Sequence, residues 1–281
     1  MQYSNYHSHC IFCDGRSFPE NFVQFAIRHH FRAYGFSSHS PLPFETNWNM
    51  SKDNMDEYLK EIQRIKEKYA HQLEIYVGLE IDYLDESYNA SSAYFQELPL
   101  DYRISSIHFL PLLYPLAEAN MMCIDGSFHE FSEKVRLYYG QDIRRLVKHY
   151  FQSSCKMVER GGFDIVGHMD KVYMNAQHYP GFDLNAPWYQ KAFLEFLDLI
   201  QEKNLLIEIN TKNFRKKKEL YPHVDFLSFL VERHIPVLVN SDCHYPDLVN
   251  DGRAEAFQLL REKGFRSTYE LVKGKWEEIP L

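Results

Sequence analysis

The sequence alternates short β-like runs with amphipathic helical patterns, and this alternation restricts its fold more than any other feature. Seven β-like runs lie around Tyr3–His9, Ala33–Ser38, Glu74–Ile81, Tyr102–Phe109, Phe163–Val166, Leu205–Ile209 and Pro236–Val239. Helical patterns lie at Pro19–His30, Met55–Lys68, Tyr88–Leu98, Phe131–Glu159, Trp188–Lys203, Val224–Arg233 and Gly252–Lys263. Such alternation is typical of a parallel α/β sheet with crossover helices.

About seven β/α units in a chain of 281 residues indicate a closed or nearly closed α/β barrel. A doubly wound open sheet would give a similar pattern, so both architectures remain open at this point. Because no Pro/Gly/Ser-rich linker or internal repeat divides the sequence, we expect one domain over residues 1–281. The segment 111–127 is the longest predicted loop, and it could be a lid or a packed insertion on the barrel rim.

Residues that commonly bind metals follow nearly every β-like run. They are His7, His9, His39, Glu80, His108, His168, Asp242 and His244. The carboxyl ends of parallel barrel strands meet on one face, where active sites form. Alternate residues of a strand share a side, so we expect His7 and His9 to point the same way, as do Asp242 and His244.

The remaining histidines provide a test of this pattern. None of the other eight of the 14 histidines ends an apolar β run, and these are His29, His30, His71, His129, His149, His178, His223 and His234. A lone histidine is more often a hydrogen-bonded core residue than a ligand, but scatter does not readily place six at equivalent strand ends. Cys10 and Cys13 form a Cys-x-x-Cys pair without a second pair to complete a zinc site, so we interpret them as packing residues.

The composition indicates which kinds of partner and which cellular compartment to expect. With 31 Lys+Arg and 39 Asp+Glu the formal charge is −8, which argues against a nucleic-acid partner. The N-terminal residues lack a signal-peptide pattern, and no apolar run approaches the ~20 residues of a membrane span. We therefore expect a cytoplasmic protein without membrane association, present as a monomer or small homo-oligomer.

The ordered set of motifs resembles the PHP (polymerase and histidinol phosphatase) family. The motifs are His7-Ser8-His9 with Asp14, Gly78-x-Glu80, Ser106-x-His108, Gly167-His168 and Ser241-Asp242-x-His244. Additional words around Phe12–Gly15, Gly35–Leu42 and Glu208–Thr211 are similar to the monofunctional histidinol-phosphate phosphatases. The resemblance implies a distorted (β/α)7 TIM-like barrel with a three-metal site at the carboxyl ends of its strands.

The resemblance also implies how the ligands are shared among the metals. His7, His9, Glu80 and Asp242 would hold the first. Glu80 would bridge to a second, completed by His108 and His168. The third would take Asp14, His39 and His244. Ser38 and Cys243 depart from the usual family residues without removing a ligand.

Mixed imidazole and carboxylate ligands suit three divalent transition-metal ions, Zn, Mn or Fe, better than Mg or Ca. Clustered cations neutralise phosphate charge and lower the pKa of a bridging water, which then supplies hydroxide near neutral pH. The expected function is a metal-dependent phosphomonoesterase acting on histidinol phosphate in histidine biosynthesis. We expect direct catalytic roles for Glu80, Asp242 and His244.

Three alternatives stay open. The same site could serve a PHP-type nuclease or exonuclease, or a phosphotyrosine-protein phosphatase. A non-catalytic metal-binding scaffold is the alternative from another class, although such relatives generally lose ligands.

Two residues are candidates for binding a small-molecule phosphomonoester substrate. Arg215 follows the sixth strand and could grip phosphate with its planar fork, or belong to a solvated basic run with Lys216–Lys218. Asp125 could bind a cationic leaving group, or act at the start of the next helix. Tyr114 and Glu118 could add contacts if the 111–127 segment folds over the metals.

Overall fold

Seven parallel strands form the central sheet, as the alternating pattern predicts. The computed structural model describes residues 3–116 and 119–281, with side chains outside 113–119. In the order in which they pair, the strands are β1 (Tyr3–Asn5), β2 (Phe31–Phe36), β3 (Glu74–Asp82), β4 (Tyr102–Ser106), β7 (Ile165–Val166), β8 (Leu206–Asn210) and β9 (Val237–Asn240). Each sheet neighbour is also the next of these strands along the chain, so the sheet winds in one direction.

The first and last strands of this sheet approach each other and nearly close it into a barrel. The backbone N–H of Tyr6 donates to the Asn240 side chain at 2.8 Å. Beyond the strands, Ser8 and Cys243 form a parallel bridge, and the N–H of His9 donates to the Cys243 carbonyl at 2.9 Å. The barrel prediction is confirmed, and the open-sheet alternative is wrong.

Helices surround the barrel and bury their apolar sides against it. Their bounds are α1 (Pro19–Arg28), α2 (Met55–Lys68), α3 (Ala93–Glu97), α4 (Phe128–Tyr139), α5 (Ile143–Arg160), α6 (Tyr173–Ala176), α7 (Pro187–Glu202), α8 (Phe214–Lys217), α9 (Leu227–Glu232) and α10 (Arg253–Lys263). Aromatic residues fill the layer between helices, and Phe151 of α5 lies edge-on to Phe193 of α7 at 6.1 Å. The high aromatic content of 16% is used in this core.

The predicted loop 111–127 is wrong, because most of it belongs to an antiparallel hairpin. Its strands are β5 (Phe109–Leu116) and β6 (Ala119–Cys123). Pro111 and Pro115 lie within β5, and a two-stranded hairpin has free edges that tolerate proline. The side chain of Tyr114 and all of Glu118 lie outside the described part of the chain, so their predicted substrate contacts stay predictions.

Several predicted bounds were also wrong. The helix predicted over Phe131–Glu159 is two helices, because Gly140 ends α4 in the left-handed region with φ 63°. The first strand ends at Asn5 and the fourth at Ser106, shorter than predicted. The pattern over Tyr88–Leu98 yields only the short α3, Ala93–Glu97.

A second hairpin, absent from the sequence prediction, covers the amino end of the barrel. It consists of β10 (Ser267–Val272) and β11 (Lys275–Pro280), joined by Lys273 and Gly274, both with positive φ. That turn geometry favours tight two-residue hairpins. Trp276 of this hairpin packs edge-on to Tyr6 in the barrel interior at 5.2 Å.

Within the described ranges, every helix is too short or too polar to cross a membrane. The assignment of residues 1–281 to one domain stays a prediction.

Candidate metal centre

The predicted ligand residues converge at the carboxyl end of the barrel. His7 and His9 lie just beyond β1, where the Ser8–Cys243 bridge fixes the irregular backbone between them. Asp242 adopts a left-handed conformation with φ 47°, which is uncommon for residues other than glycine. Such strain is often retained at functional sites, where it directs a side chain that regular backbone would turn elsewhere.

Glu80 lies at the centre of the cluster. Its Oε1 is 2.8 Å from His168 Nε2 and 3.7 Å from His108 Nε2. Its Oε2 is 2.9 Å from His39 Nδ1, and 3.2 Å from His7 Nε2. One carboxylate therefore contacts ligand-type nitrogens that follow four different strands.

Asp242 and Asp14 contribute carboxylates on either side of His9. Asp242 Oδ1 is 3.2 Å from His9 Nε2 and 3.7 Å from His7 Nε2. Asp14 Oδ2 is 3.3 Å from His244 Nε2, and its Oδ1 is 3.8 Å from His39 Nε2. The two aspartates thus extend the cluster from Glu80 toward the barrel rim.

Two glycines allow this convergence because a side chain would not fit at either position. A Cβ on Gly15 would lie 2.3 Å from the backbone of His9 and Cys10. A Cβ on Gly167 would lie 2.1 Å from the Ser106 hydroxyl. The first close approach brings the Asp14 loop against the His9 segment, and the second explains why Gly167-His168 accompanies Ser106-x-His108.

The side-chain atoms form three groups, each with its donors within 4.8 Å of one another. The groups are His9, Asp14, His39 and His244; His7, His9 and Asp242; and His39, Glu80 and His108. His168 is outside these groups but hydrogen-bonds Glu80 at 2.8 Å. The structure therefore brings all nine predicted ligands together, while their division among particular ions stays a prediction.

The chemistry of these donors fits divalent transition metals. His7 Nε2, His9 Nε2, His39 Nδ1, His168 Nδ1, Asp14 Oδ1 and Glu80 Oε2 are buried and make no hydrogen bond within the described residues. Buried polar atoms normally find partners, so a concentration of unpaired imidazole nitrogens and carboxylate oxygens is unusual. Metal coordination would satisfy these atoms, and the mixed nitrogen and oxygen set is one that Zn, Mn and Fe accept.

Two buried carboxylates contact ligand residues on the side away from the cluster. The sequence analysis did not select either of them. Glu208 Oε2 accepts from His7 Nδ1 at 2.8 Å, and its Oε1 accepts from the backbone N–H of His168 at 2.7 Å. Asp82 Oδ1 lies 2.9 Å from His108 Nδ1. A carboxylate on the far nitrogen fixes the tautomer and orientation of a metal-binding imidazole. Asp82 lies two residues after Glu80 in the same strand, and residues at this spacing share a side of the strand. This spacing was the signal that could have identified Asp82.

Burial and charge set the protonation of the cluster. Burial opposes ionisation of Glu80, but the surrounding histidines keep the pKa of its carboxyl well below the usual range. Burial, assisted by His244, lowers the pKa of His9. Burial opposes protonation of His7 too, but nearby carboxylates, Glu208 first, raise its pKa. An ionised Glu80 and a neutral His9 are the forms that bind cations.

The two predicted substrate-binding residues, Asp125 and Arg215, lie in different surroundings. Asp125 lies beside the cluster, with Oδ2 3.9 Å from His108 Nε2 and 3.5 Å from Lys171 Nζ. Arg215 is exposed on α8 and lies outside the lining of the adjoining cavity, so its role as a phosphate contact stays a prediction.

Lys212 and Lys171 were not predicted, because isolated lysines in a sequence resemble ordinary surface residues. Lys212 Nζ is 3.0 Å from Asp242 Oδ1 and 3.4 Å from His244 Nε2. Lys171 is only 6% exposed, which is unusual for a lysine. Burial opposes its charge, but Asp125 and other nearby carboxylates raise its pKa, so it remains cationic.

A cavity of about 420 Å³ adjoins the cluster. Its lining residues come from the ligand set, from two flanking segments and from the residues after β8, and are Asp14, His39, Asn47, Trp48, Glu80, His108, Cys123, Asp125, Gly126, Glu130, Lys134, Lys212 and Asp242. Small-molecule sites typically enclose ~300–1,000 Å³. A larger groove of about 710 Å³ lies elsewhere, between α5 and α7, and contains none of the predicted ligands.

Comparison with known proteins assigns the family. A sequence model of the PHP domain matches residues 5–212, which is most of the chain. The chain belongs to the PHP domain family. The match includes His7, Glu80, His168 and Glu208, whereas Asp242 and its neighbour His244 lie beyond its end.

Relatives of this PHP protein match along nearly their whole length. It is 27% identical over 255 residues to the probable histidinol-phosphatase of Deinococcus radiodurans, covering 89% of this chain and 88% of the relative. It is 25% identical over 262 residues to the histidinol-phosphatase of Bacillus subtilis, covering 87% and 94%.

The fold also matches a solved structure. Histidinol phosphate phosphatase from Lactococcus lactis, solved with zinc, L-histidinol and phosphate, superposes with a TM-score of 0.74 at 20% identity. The alignment covers 98% of this chain and 99% of the other. The shared architecture agrees with the barrel described above.

Proposed function

We propose that this chain is a metal-dependent phosphomonoesterase that hydrolyses L-histidinol phosphate to L-histidinol and phosphate. The observation that carries the proposal is the convergence of eight further histidines and aspartates around Glu80 beside a cavity of about 420 Å³. The histidinol-phosphatase relatives supply the substrate, since the ligands alone recognise only the phosphate. The reaction belongs to histidine biosynthesis, a cytoplasmic process that needs no nucleic-acid partner.

Three divalent ions, Zn, Mn or Fe, would be held by nine residues, divided among the ions as the family resemblance implies. The proposed ligands are His7, His9, Asp14, His39, Glu80, His108, His168, Asp242 and His244. When bound, such ions neutralise phosphate charge and make water more acidic, so that hydroxide is available near neutral pH. Glu80, Asp242 and His244 are the residues we assign to the reacting centre.

The protein's own residues prepare this centre before substrate arrives. Glu208 and Asp82 accept hydrogen bonds from His7 and His108, which keeps the opposite nitrogens of both rings directed at the cluster. Lys212 adds a fixed positive charge at 3.0 Å from Asp242, on the cavity lining. A cation in this position attracts a phosphate dianion and remains in place as the ester bond breaks.

The experiment is a phosphatase screen of the protein reconstituted with manganese or zinc. Substrates are L-histidinol phosphate, p-nitrophenyl phosphate, a phosphotyrosine peptide and single-stranded DNA. We expect the highest kcat/KM on L-histidinol phosphate and complete loss of turnover in excess chelator.

Each other outcome selects a different function. Preference for DNA would indicate a nuclease, and preference for the phosphopeptide would indicate a protein phosphatase. Metal binding without turnover of any substrate would support a scaffold. Equal rates on L-histidinol phosphate and p-nitrophenyl phosphate would contradict the specific substrate while preserving the phosphatase class.

A further inference from the structure

Next to the ligand cluster, the wall of the cavity comes from two segments. One is the loop after β2, which supplies Asn47 and Trp48. The other follows the β5–β6 hairpin and supplies Asp125 and Glu130. A phosphoryl group bound at the cluster would direct the rest of the substrate toward this wall, so its side chains meet the leaving group.

Trp48 is the one aromatic side chain among the described residues that line this cavity. Its ring lies parallel to Phe109 with 5.5 Å between centroids and 3° between planes. It also lies edge-on to two ligand histidines, 4.5 Å from His39 and 5.2 Å from His108. The indole is therefore fixed against the metal centre on one side, while its half-buried remainder borders the cavity.

The loop that carries Trp48 is held rigidly. Asn49 donates from Nδ2 to the Ser40 carbonyl at 2.8 Å and accepts from the Thr46 hydroxyl at 2.7 Å. The backbone N–H of Met50 donates to the His39 carbonyl at 3.2 Å, which ties the loop to a ligand residue. A side chain placed by such bonds loses little further freedom on binding a ligand.

The charged residues beside Trp48 differ in whether their polar atoms already have hydrogen-bond partners. Glu130 Oε2 accepts from the N–H and hydroxyl of Ser127 at 2.9 Å each, as part of a helix cap. Lys134 Nζ donates to the Cys123 carbonyl at 2.9 Å. Asp125 Oδ1, in contrast, is buried and makes no hydrogen bond to a described residue. The other oxygen of Asp125, Oδ2, lies 3.5 Å from Lys171 Nζ, so Oδ1 is the oxygen of this carboxylate that remains for a ligand.

We propose that Trp48 is a specificity-determining residue that binds the imidazole- and ammonium-bearing leaving group, with Asp125 as its charge partner. The inference rests on the proposed function, because it names the part of the same substrate that the metals do not bind. An aromatic face attracts both a cation and a second ring, whereas a neutral aliphatic group gains neither interaction. The pair would therefore select among phosphomonoesters by the chemistry of their alcohol.

The test uses the metal-loaded protein and three substrates whose leaving groups carry progressively fewer groups that Trp48 and Asp125 could bind. L-histidinol phosphate carries imidazole and ammonium, ethanolamine phosphate carries ammonium alone, and ethyl phosphate carries neither. We expect Trp48→Ala to reduce the kcat/KM ratio of L-histidinol phosphate to ethyl phosphate by about tenfold or more. Trp48→Phe keeps an aromatic ring, so it should retain most of that ratio. The remaining decrease should appear mainly as a higher KM for L-histidinol phosphate. Trp188→Ala, at a half-buried tryptophan in the separate groove, is the matched control and should leave the ratio unchanged.

Binding without turnover gives a second readout. We expect L-histidinol to change the intrinsic fluorescence of the wild type and of Trp188→Phe, but not of Trp48→Phe. A selective wild type whose selectivity survives in Trp48→Ala, and whose fluorescence response survives in Trp48→Phe, would overturn this inference alone. A wild type that hydrolyses L-histidinol phosphate no better than ethyl phosphate would overturn the proposed substrate and the inference with it. Should Trp48→Ala not fold, the Trp48→Phe titration still decides.

Discussion

The two ends of the barrel differ in how many buried polar atoms lack a hydrogen-bond partner among the described residues. In the part of the barrel interior that packs on the C-terminal hairpin, the Tyr102 hydroxyl donates to the Tyr6 carbonyl at 2.6 Å and lies 3.0 Å from the Phe36 carbonyl. The Tyr6 hydroxyl accepts from the backbone N–H of Leu271 at 2.8 Å, which attaches the C-terminal hairpin. At the carboxyl end, several ligand nitrogens and oxygens are buried without such bonds among the described residues.

This difference separates stability from function within one fold. Hydrogen bonds that the protein completes by itself stabilise it without any ligand. Buried donors and acceptors left unpaired cost stability until something binds them. We therefore expect changes at the amino end to affect unfolding, and changes at the carboxyl end to affect metal content and turnover.

The largest effect should come from Glu80→Gln. The amide keeps the size of the side chain but removes the charge that contacts five histidines within 2.8 to 3.7 Å. We expect turnover to fall to the detection limit and metal content, measured by elemental analysis, to drop. Normal metal content with normal turnover would show that Glu80 is not the shared ligand.

A smaller effect is expected from Glu208→Gln, with Glu270→Gln as its matched control. Both are buried glutamates, but Glu208 orients His7, whereas Glu270 accepts from Arg32 at 2.6 and 2.9 Å near the amino end. Loss of the orienting charge should weaken metal affinity by ~10–100-fold. Equilibrium dialysis measures the metal affinity of both variants. A loss of affinity in Glu270→Gln as large as that in Glu208→Gln would contradict the comparison between the two ends.

Tyr102→Phe tests the amino end. The substitution removes a hydroxyl bonded to Tyr6 and leaves buried carbonyls without that donor, which should lower the free energy of unfolding by about 1–3 kcal/mol. Denaturant titration measures this loss. Because the hydroxyl bonds the backbone of Tyr6 and Phe36 rather than a ligand side chain, kcat/KM per metal-loaded molecule should stay at the wild-type value, and a large decrease would mean that the two ends are coupled.

The smallest effect concerns the basic residues near the phosphate. Lys212 lines the cavity and Arg215 is exposed, so Lys212→Met should raise KM more than Arg215→Ala does. Steady-state kinetics on L-histidinol phosphate compares them, with metal content as the control. If Arg215→Ala has the larger effect, the guanidinium reaches the substrate and the prediction from the sequence is right.

The sequence predicted the barrel and the convergence of its ligands because both depend on periodicity. Strand ends are visible in apolar runs, and a residue such as His168 after a strand is placed by the geometry of the sheet. Glu208 lay in a family-like word and Asp82 shared the period of Glu80, but neither observation gave a role, which depends on contacts with His7 and His108 from other strands.

Features set by loops could not be predicted in this way. Trp48 lies in a loop whose path depends on hydrogen bonds from Asn49, and no periodicity describes such a path. The hairpin strands Phe109–Leu116 and Ala119–Cys123 fell mostly within the segment predicted as a loop. By contrast, Gly140 between two helices was a readable C-cap signal that the long amphipathic pattern obscured.

The most direct test of this account is the number of metal ions per chain. Chelated protein would be titrated with zinc or manganese, and bound metal and turnover of L-histidinol phosphate would be measured on the same samples. We predict saturation at three ions per chain, loss of turnover in chelator and its recovery as the ions return. Saturation at a single ion, or full turnover in the chelated protein, would contradict the account.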